Sequence, residues 1–283
     1  MVERRWQCGR HALSLGAPLV MGVVNVTPDS FSDGGLHADP AAAVAHARAL
    51  AEDGADILDV GGESTRPGAA EVSVDDELRR VLPVIEALAT GPCPVSVDTA
   101  KPAVMRAAIA AGACIVNDVS GFRTDEALAA VAGTGVGVCV MHMRGTPRTM
   151  QRDPRYADVV GEVLAFLDER VRALVAAGVE RARIAIDPGI GFGKTLEHNL
   201  ALLRALPVLR ESGCAVLVGL SRKSMLGAIT GRGTHDRLAA SVAGALWCAG
   251  QGADIIRVHD VRETRDALRV WQALEMGAAG SRP

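Results

Sequence analysis

The sequence predicts an α/β chain closed into a TIM (β/α)8 barrel, with a short N-terminal extension over about residues 1–18. Three observations lead there. Eight short runs rich in Val and Ile are apolar throughout rather than alternating, as parallel strands covered on both faces are. Ala-rich stretches with helix-start signals separate them. No G-x-G-x-x-G follows the first run, which disfavours the open, doubly wound sheet as the alternative. No linker or composition shift divides the chain, so residues 1–283 read as one domain.

In order, the strand runs are PLVMGVVN, ADILDV, CPVSVD, ACIVND, VGVCVMH, RIAIDP, AVLVGLS and ADIIRVH. Between them, Asp39-Pro40 precedes AAAVAHARAL and places proline in the first helical turn. Ser73, Val74, Asp75 and Asp76 precede ELRRVLPVIEAL. The segment from Asp260 to Glu263 has the form of a capping box before TRDALRV.

Composition narrows the function. The chain is 49% hydrophobic with 3% aromatics, so the core is expected to be aliphatic. A net charge of −3 argues against nucleic acid as a partner, because phosphate neutralisation needs a clustered basic excess. The six cysteines form no C-x-x-C pair and several sit inside apolar runs; they read as reduced core thiols, not a zinc site. The N-terminal residues lack an apolar leader core, and no apolar run reaches the roughly 18 residues of a membrane span. A cytoplasmic protein without a membrane partner is expected. Lys101, Lys194 and Lys223 are the only lysines among 30 basic residues.

A barrel of this type builds its site at the carboxyl ends of its strands. The strand ends therefore carry the information. Asn25, Asp98, Asn117 and Asp187 end apolar strands, and Lys223, Arg257 and His259 follow the last two runs. One such residue alone could be a helix cap. The set is different, since buried charge is costly unless it is paired or meets a ligand. Asp98, Asn117 and Asp187, from the third, fourth and sixth strands, suit a flat heterocycle with an N–H-rich edge. Arg257, His259, Asn25 and the Ser64-Thr65-Arg66 triplet suit an anion and come from neighbouring strands of a closed barrel. The Gly191 to Thr195 stretch lacks the spacing of a phosphate loop, so its glycines read as a tight turn around Phe192. For Lys194 the expected role is support of that turn, and Lys101 lies at a helix start.

The motifs NVTPDSFSDGG, DVGGESTRPGA, SVDT, NDVSG, DPGIGFGKT, GLSRKS and RVHDV, in this order, resemble the dihydropteroate synthase family of pterin-binding TIM barrels. The resemblance covers the chain from Val20 to Leu274. It implies condensation of 6-hydroxymethyl-7,8-dihydropterin pyrophosphate with p-aminobenzoate in folate biosynthesis, a step that sulfonamides inhibit. It also implies that Asp98, Asn117 and Asp187 hold the pterin edge, with Lys223 on its other polar side and Met141, Phe192 and Gly219 lining the pocket. Asn25, Arg257 and His259 would take the pyrophosphate, with Mg2+ bound through it near Asn25. Thr65, Arg66, Pro67, Phe31 and Ser224 would frame p-aminobenzoate, and Ser221 joins the substrate-binding set. A homodimer formed through the late barrel helices is implied as well.

These roles suggest an SN1-like displacement in which ionised Asp98 and Asp187 stabilise a cationic pterin and Arg257 the leaving group. Asp33 is the further candidate of the opening loop, acting either on the pterin or on the Mg2+–pyrophosphate region. That loop, residues 27–35, is expected to order only when ring and pyrophosphate are both bound. Two other readings remain: a pterin-binding methyltransferase domain, and a catalytically silent pterin-binding barrel. The opening loop, SRKS and RVHDV favour the synthase, since a methyltransferase has no pyrophosphate to hold.

Overall fold

The computed structural model describes residues 4–27, 39–64 and 68–279. All eight predicted strands are present and close into one parallel barrel. They are β3 (Leu19–Asn25), β4 (Ile57–Gly61), β5 (Val95–Asp98), β6 (Ile115–Asp118), β7 (Gly137–Met141), β8 (Ile184–Asp187), β9 (Ala215–Gly219) and β10 (Ile255–Val258). β10 pairs with both β9 and β3, which completes the closure.

The two-residue period of a strand explains the mouth. One face carries Val20, Val24, Leu58, Val60, Val97, Val116, Val138, Val140, Ile186, Val216, Val218 and Ile256, which pack outward against the helices. The other face holds Met21, Ile57, Ile115, Cys139, Ala185, Leu217 and Ile255, which fill the barrel. Two residues further along those same faces stand Val23, Asp59, Asn117, Met141, Asp187, Gly219 and Arg257. The interior thus turns from apolar to polar towards the strands' carboxyl ends.

Helix starts follow the sequence signals. α1 (Pro40–Glu52) is capped by the Asp39 carboxylate, which accepts from the Ala41 N–H. α2 (Val74–Leu88) is capped by the Ser73 hydroxyl, which accepts from the Asp76 N–H. α10 (Val261–Ala279) begins after Asp260 as expected. The Asp260 carboxylate, however, accepts from Arg222 Nε at 3.0 Å, so the residue also braces the loop after β9.

The N-terminal extension has structure of its own that the sequence reading did not anticipate. β1 (Arg5–Cys8) and β2 (His11–Ser14) form an antiparallel hairpin. It closes the end of the barrel opposite the mouth. Trp6 and Cys8 are fully buried against Ile57, Ile115, Cys139 and Leu217. Trp6 Nε1 donates to the Arg183 carbonyl at 2.9 Å, Gly9 N donates to the Gly135 carbonyl at 2.8 Å, and Arg4 pairs with Asp254 at 2.8 Å. Those three partners precede β8, β7 and β10.

Candidate active site

The inward, carboxyl-terminal positions converge on one charged cluster. Arg257, on β10, donates through Nε to Asp59 Oδ2 at 2.6 Å and through Nη2 to Asp98 Oδ2 at 2.9 Å. Asn117 Nδ2 also donates to Asp59 Oδ2, at 3.1 Å. Asp59 Oδ1 and Asp98 Oδ1 are buried, and neither has a hydrogen-bond partner among the described residues. A buried carboxylate oxygen left unpaired is costly, so these two atoms mark where a donor-bearing ligand belongs.

Charge in the cluster is finely poised. Burial pushes the Asp98 carboxyl up to about 7; the Arg257 guanidinium opposes this, and Asp59 and other carboxylates add to it. Burial likewise raises Asp187, against the pull of Lys223 and of the hydrogen bond from Gly189 N to Asp187 Oδ1 at 2.7 Å. Burial also opposes the charge on Arg257, but Asp59 and Asp98 outweigh it and hold the guanidinium protonated. Burial thus works against the ionised form of both carboxylates, with Arg257 opposing it at Asp98 and Lys223 at Asp187.

Opposite this cluster, Lys223 sits just before α8 (Ser224–Thr230), in a turn in which the preceding Arg222 adopts the left-handed region at φ 59°. Its Nζ donates to the Ile190 carbonyl and lies 4.5 Å above the centre of the Phe192 ring. Burial pulls the ammonium down to about 8, with Asp187 resisting. Phe192 leans on an apolar group made of Val119, Met141, Met143 and Met150. At Gly219 an added Cβ would lie 3.5 Å from the Arg257 Cβ, so glycine keeps the floor beside the guanidinium free of a side chain.

Next to this wall, His259 Nδ1 lies 3.1 Å from Ser221 Oγ, and the His259 N–H points to the same oxygen at 3.3 Å. Asn25 ends β3 half-buried and in register with Gly61. Ser224 is exposed at the first turn of α8.

Comparison with known proteins bears on this arrangement. The family described as pterin binding enzyme matches residues 21–259. A dihydropteroate synthase of Neisseria meningitidis serogroup B is 48% identical over 281 residues, covering 97% of this chain and 99% of the relative. A structure of the Xanthomonas albilineans dihydropteroate synthase with 4-aminobenzoic acid superposes with a TM-score of 0.92 at 53% identity, covering all of both chains. The chain belongs to the dihydropteroate synthase family. The Burkholderia cenocepacia dihydropteroate synthase, solved with 7,8-dihydropteroate, superposes with a TM-score of 0.91 at 49% identity, covering 99% of each chain.

Within this dihydropteroate synthase fold, Arg257 bonds Asp98 directly, Arg257 and Asn117 share Asp59 Oδ2, and Lys223 packs on Phe192, which leans on Met141. The sequence reading placed Arg257 on the anion side; here its guanidinium is held between two carboxylates of the ring side. Asp59 is the residue that reading missed. It lies one alternation below the end of its strand, hidden in ADILDV, and only its phase with Ile57 and Gly61 marks it as inward. Phe31, Asp33, Thr65, Arg66 and Pro67 lie outside the described residues, as does most of the opening loop.

The other two lysines make local contacts, Lys101 immediately before the helix that begins at Pro102 and Lys194 in the Phe192 turn. Lys101 Nζ bridges Glu63 and Glu77, the latter at 2.6 Å and fully buried. Lys194 braces the turn that carries Phe192.

Proposed function

We propose that the chain condenses 6-hydroxymethyl-7,8-dihydropterin pyrophosphate with p-aminobenzoate, giving 7,8-dihydropteroate and pyrophosphate. The observation that carries this is the acceptor-rich, incompletely satisfied carboxylate cluster of Asp59, Asp98 and Asp187. A pterin presents several N–H donors along one edge. Each charge-assisted bond it makes to such an oxygen contributes about 1.5–3 kcal/mol, far more than an apolar ring of equal size would find there. Phe192, Met141 and Gly219 supply a face for the ring, and Lys223 meets its other polar side.

The step that follows is an SN1-like displacement without a covalent enzyme intermediate. As the C–O bond to pyrophosphate breaks, positive charge spreads into the pterin, and Asp98 and Asp187 stabilise it. His259 and Asn25 are assigned to the departing anion, and Arg257, engaged by Asp59 and Asp98, adds its positive charge from the ring side. The arylamine nitrogen of p-aminobenzoate attacks the methylene and loses its proton; positioning by the 65–67 segment, Phe31 and Ser224 matters more than a strong base. Sulfonamides would compete at the p-aminobenzoate end. Asp33 is assigned to the pterin or the pyrophosphate region.

Among the described residues, no group of three or more His, Cys, Asp or Glu side chains could hold a metal. Asn25, with its side-chain amide oxygen at the end of β3, is the residue that would lie beside Mg2+, and the ion would supply charge neutralisation for the leaving group.

The protein is assigned to the cytoplasm. Separately, no helix among the described residues is long and apolar enough to cross a membrane. The protein is also assigned as a homodimer, on the apolar face of its last two helices.

Pyrophosphate release coupled to dihydropteroate formation tests the activity. Both products are expected only when both substrates are present, and no dihydropteroate from an active-looking, folded protein contradicts it. Oxygen-18 scrambling within the pterin pyrophosphate is expected without p-aminobenzoate. Its absence from the formed complex, with bound pyrophosphate free to rotate, counts against the SN1-like step.

A further inference from the structure

Lys194 is 3% exposed and, as described so far, has no part in the chemistry. Its Nζ meets the Gly189 carbonyl at 2.9 Å, the Phe192 carbonyl at 3.0 Å, the His142 carbonyl at 3.3 Å and His142 Nδ1 at 2.9 Å. An ammonium has three protons to donate, and here it is offered four acceptors. His142 follows β7, and Gly189 and Phe192 follow β8, so one cation ties two adjacent loops of the mouth.

The tie lies where the loops come closest. Gly189 has φ +68°, and a Cβ there would stand 1.9 Å from the His142 carbonyl oxygen. The two backbones touch, and the carbonyls of His142 and Gly189 both turn to Lys194. Two of the three tied residues also touch the pocket. The Gly189 N–H donates to Asp187 Oδ1, and Phe192 presents its ring to Lys223. Burial, together with the Lys194 charge, lowers His142 to about 3 and keeps the ring neutral; burial also pulls Lys194 down to about 7, with Asp187 resisting.

We propose that Lys194 is a positioning residue for the pterin: its ammonium fixes the turn from Gly189 to Phe192 and so sets the Asp187 carboxylate and the Phe192 ring relative to one another. The inference rests on reading the mouth as a pterin site. Lys194 touches neither substrate. Its effect is specific to the ring side because none of its four acceptors belongs to the loops after β3, β4 or β10.

The test uses the full-length protein with Lys194→Met and Lys194→Gln. Pterin affinity is read from the fluorescence of 6-hydroxymethylpterin, and KM for p-aminobenzoate is measured at saturating pterin pyrophosphate, below the unfolding temperature of each variant. The pterin Kd is expected to rise at least about tenfold, as misplaced binding groups cost. The p-aminobenzoate KM is expected to stay within about twofold, the pattern of a loss confined to one substrate. A lowered Tm with unchanged pterin Kd, or an equal rise in both constants, overturns the proposal. Should neither variant fold, His142→Leu removes one acceptor and leaves the three carbonyls to Lys194. A pterin Kd raised about threefold then supports the role and an unchanged one overturns it. Wild-type protein that does not bind the pterin at all refutes the functional reading instead.

Discussion

Asp98 and Lys223, on the ring side of the mouth, both titrate closer to neutrality than their ordinary values because of burial. Asp98, raised to about 7 by burial, makes charge-assisted bonds to pterin N–H groups as the carboxylate. Lowering pH through 7 adds the proton, removes the negative charge and turns one oxygen into a donor, so kcat/KM falls on the acid side. Lys223, lowered to about 8 by burial, is a cation only below that value. Raising pH through 8 removes its charge, so kcat/KM falls on the alkaline side too. The expected profile is a narrow bell with limbs near 7 and 8, measured on kcat/KM because that quantity reports the free enzyme. Lys223→Arg should lower turnover severely, by about a hundredfold or more, while circular dichroism shows an intact fold. A forked guanidinium does not fit the space between the Ile190 carbonyl and the Phe192 ring as a compact ammonium does. Near-normal turnover of this variant would remove Lys223 from the mechanism. Asp98, Asn117 and Asp187 were legible in the sequence because they interrupt apolar runs at their ends. Asp59 was not, because its strand continues for two more residues and it stands inside the apolar run and not at its end.

The eight barrel strands were legible as elements for a different reason. Each is covered on both faces, so its sequence is a continuous Val- and Ile-rich run that competes with no helical period. The N-terminal hairpin offers no such run. RWQC and HALS are four residues each, and their burial is decided by the open end of the barrel, not by local pattern. Trp6 is the residue that fixes the hairpin, with its ring wholly buried and its indole N–H satisfied by Arg183. Trp6→Ala should cost about 3–5 kcal/mol of stability through the cavity and the unmet carbonyl. Because the hairpin closes the end remote from the mouth, kcat/KM at low temperature should stay within about twofold of wild type. Urea unfolding and steady-state kinetics on the same preparation check both halves. A large kinetic effect with little loss of stability would show that the hairpin communicates with the mouth.

Several of the exposed large apolar side chains of the described residues lie on the last two helices. Trp247 on α9 (Leu238–Gly250) is 52% exposed, and Val270 and Leu274 on α10 are 61% and 70% exposed. Val270 and Leu274 are one helical turn apart, and α9 packs on α10. Single exposed apolar side chains are ordinary, whereas three on two adjoining helices fit a self-complementary interface. Light scattering after size exclusion should give the mass of a dimer for the wild type. Val270→Asp with Leu274→Glu should shift it to the monomer, and a wild-type monomer at micromolar concentration contradicts the assignment.

The mouth itself is the product of closure. Residues 198 positions apart, Asp59 and Arg257, meet only because β10 returns to β3, so no local reading could pair them. Its division into a ring side and an anion side is the central claim, and a crystal structure with a pterin and pyrophosphate bound tests it most directly. The account predicts the pterin edge against Asp98, Asn117 and Asp187, with the ring beside Phe192, and the pyrophosphate against Asn25 and His259. A pterin bound elsewhere, or a pyrophosphate seated away from Asn25 and His259, would contradict it.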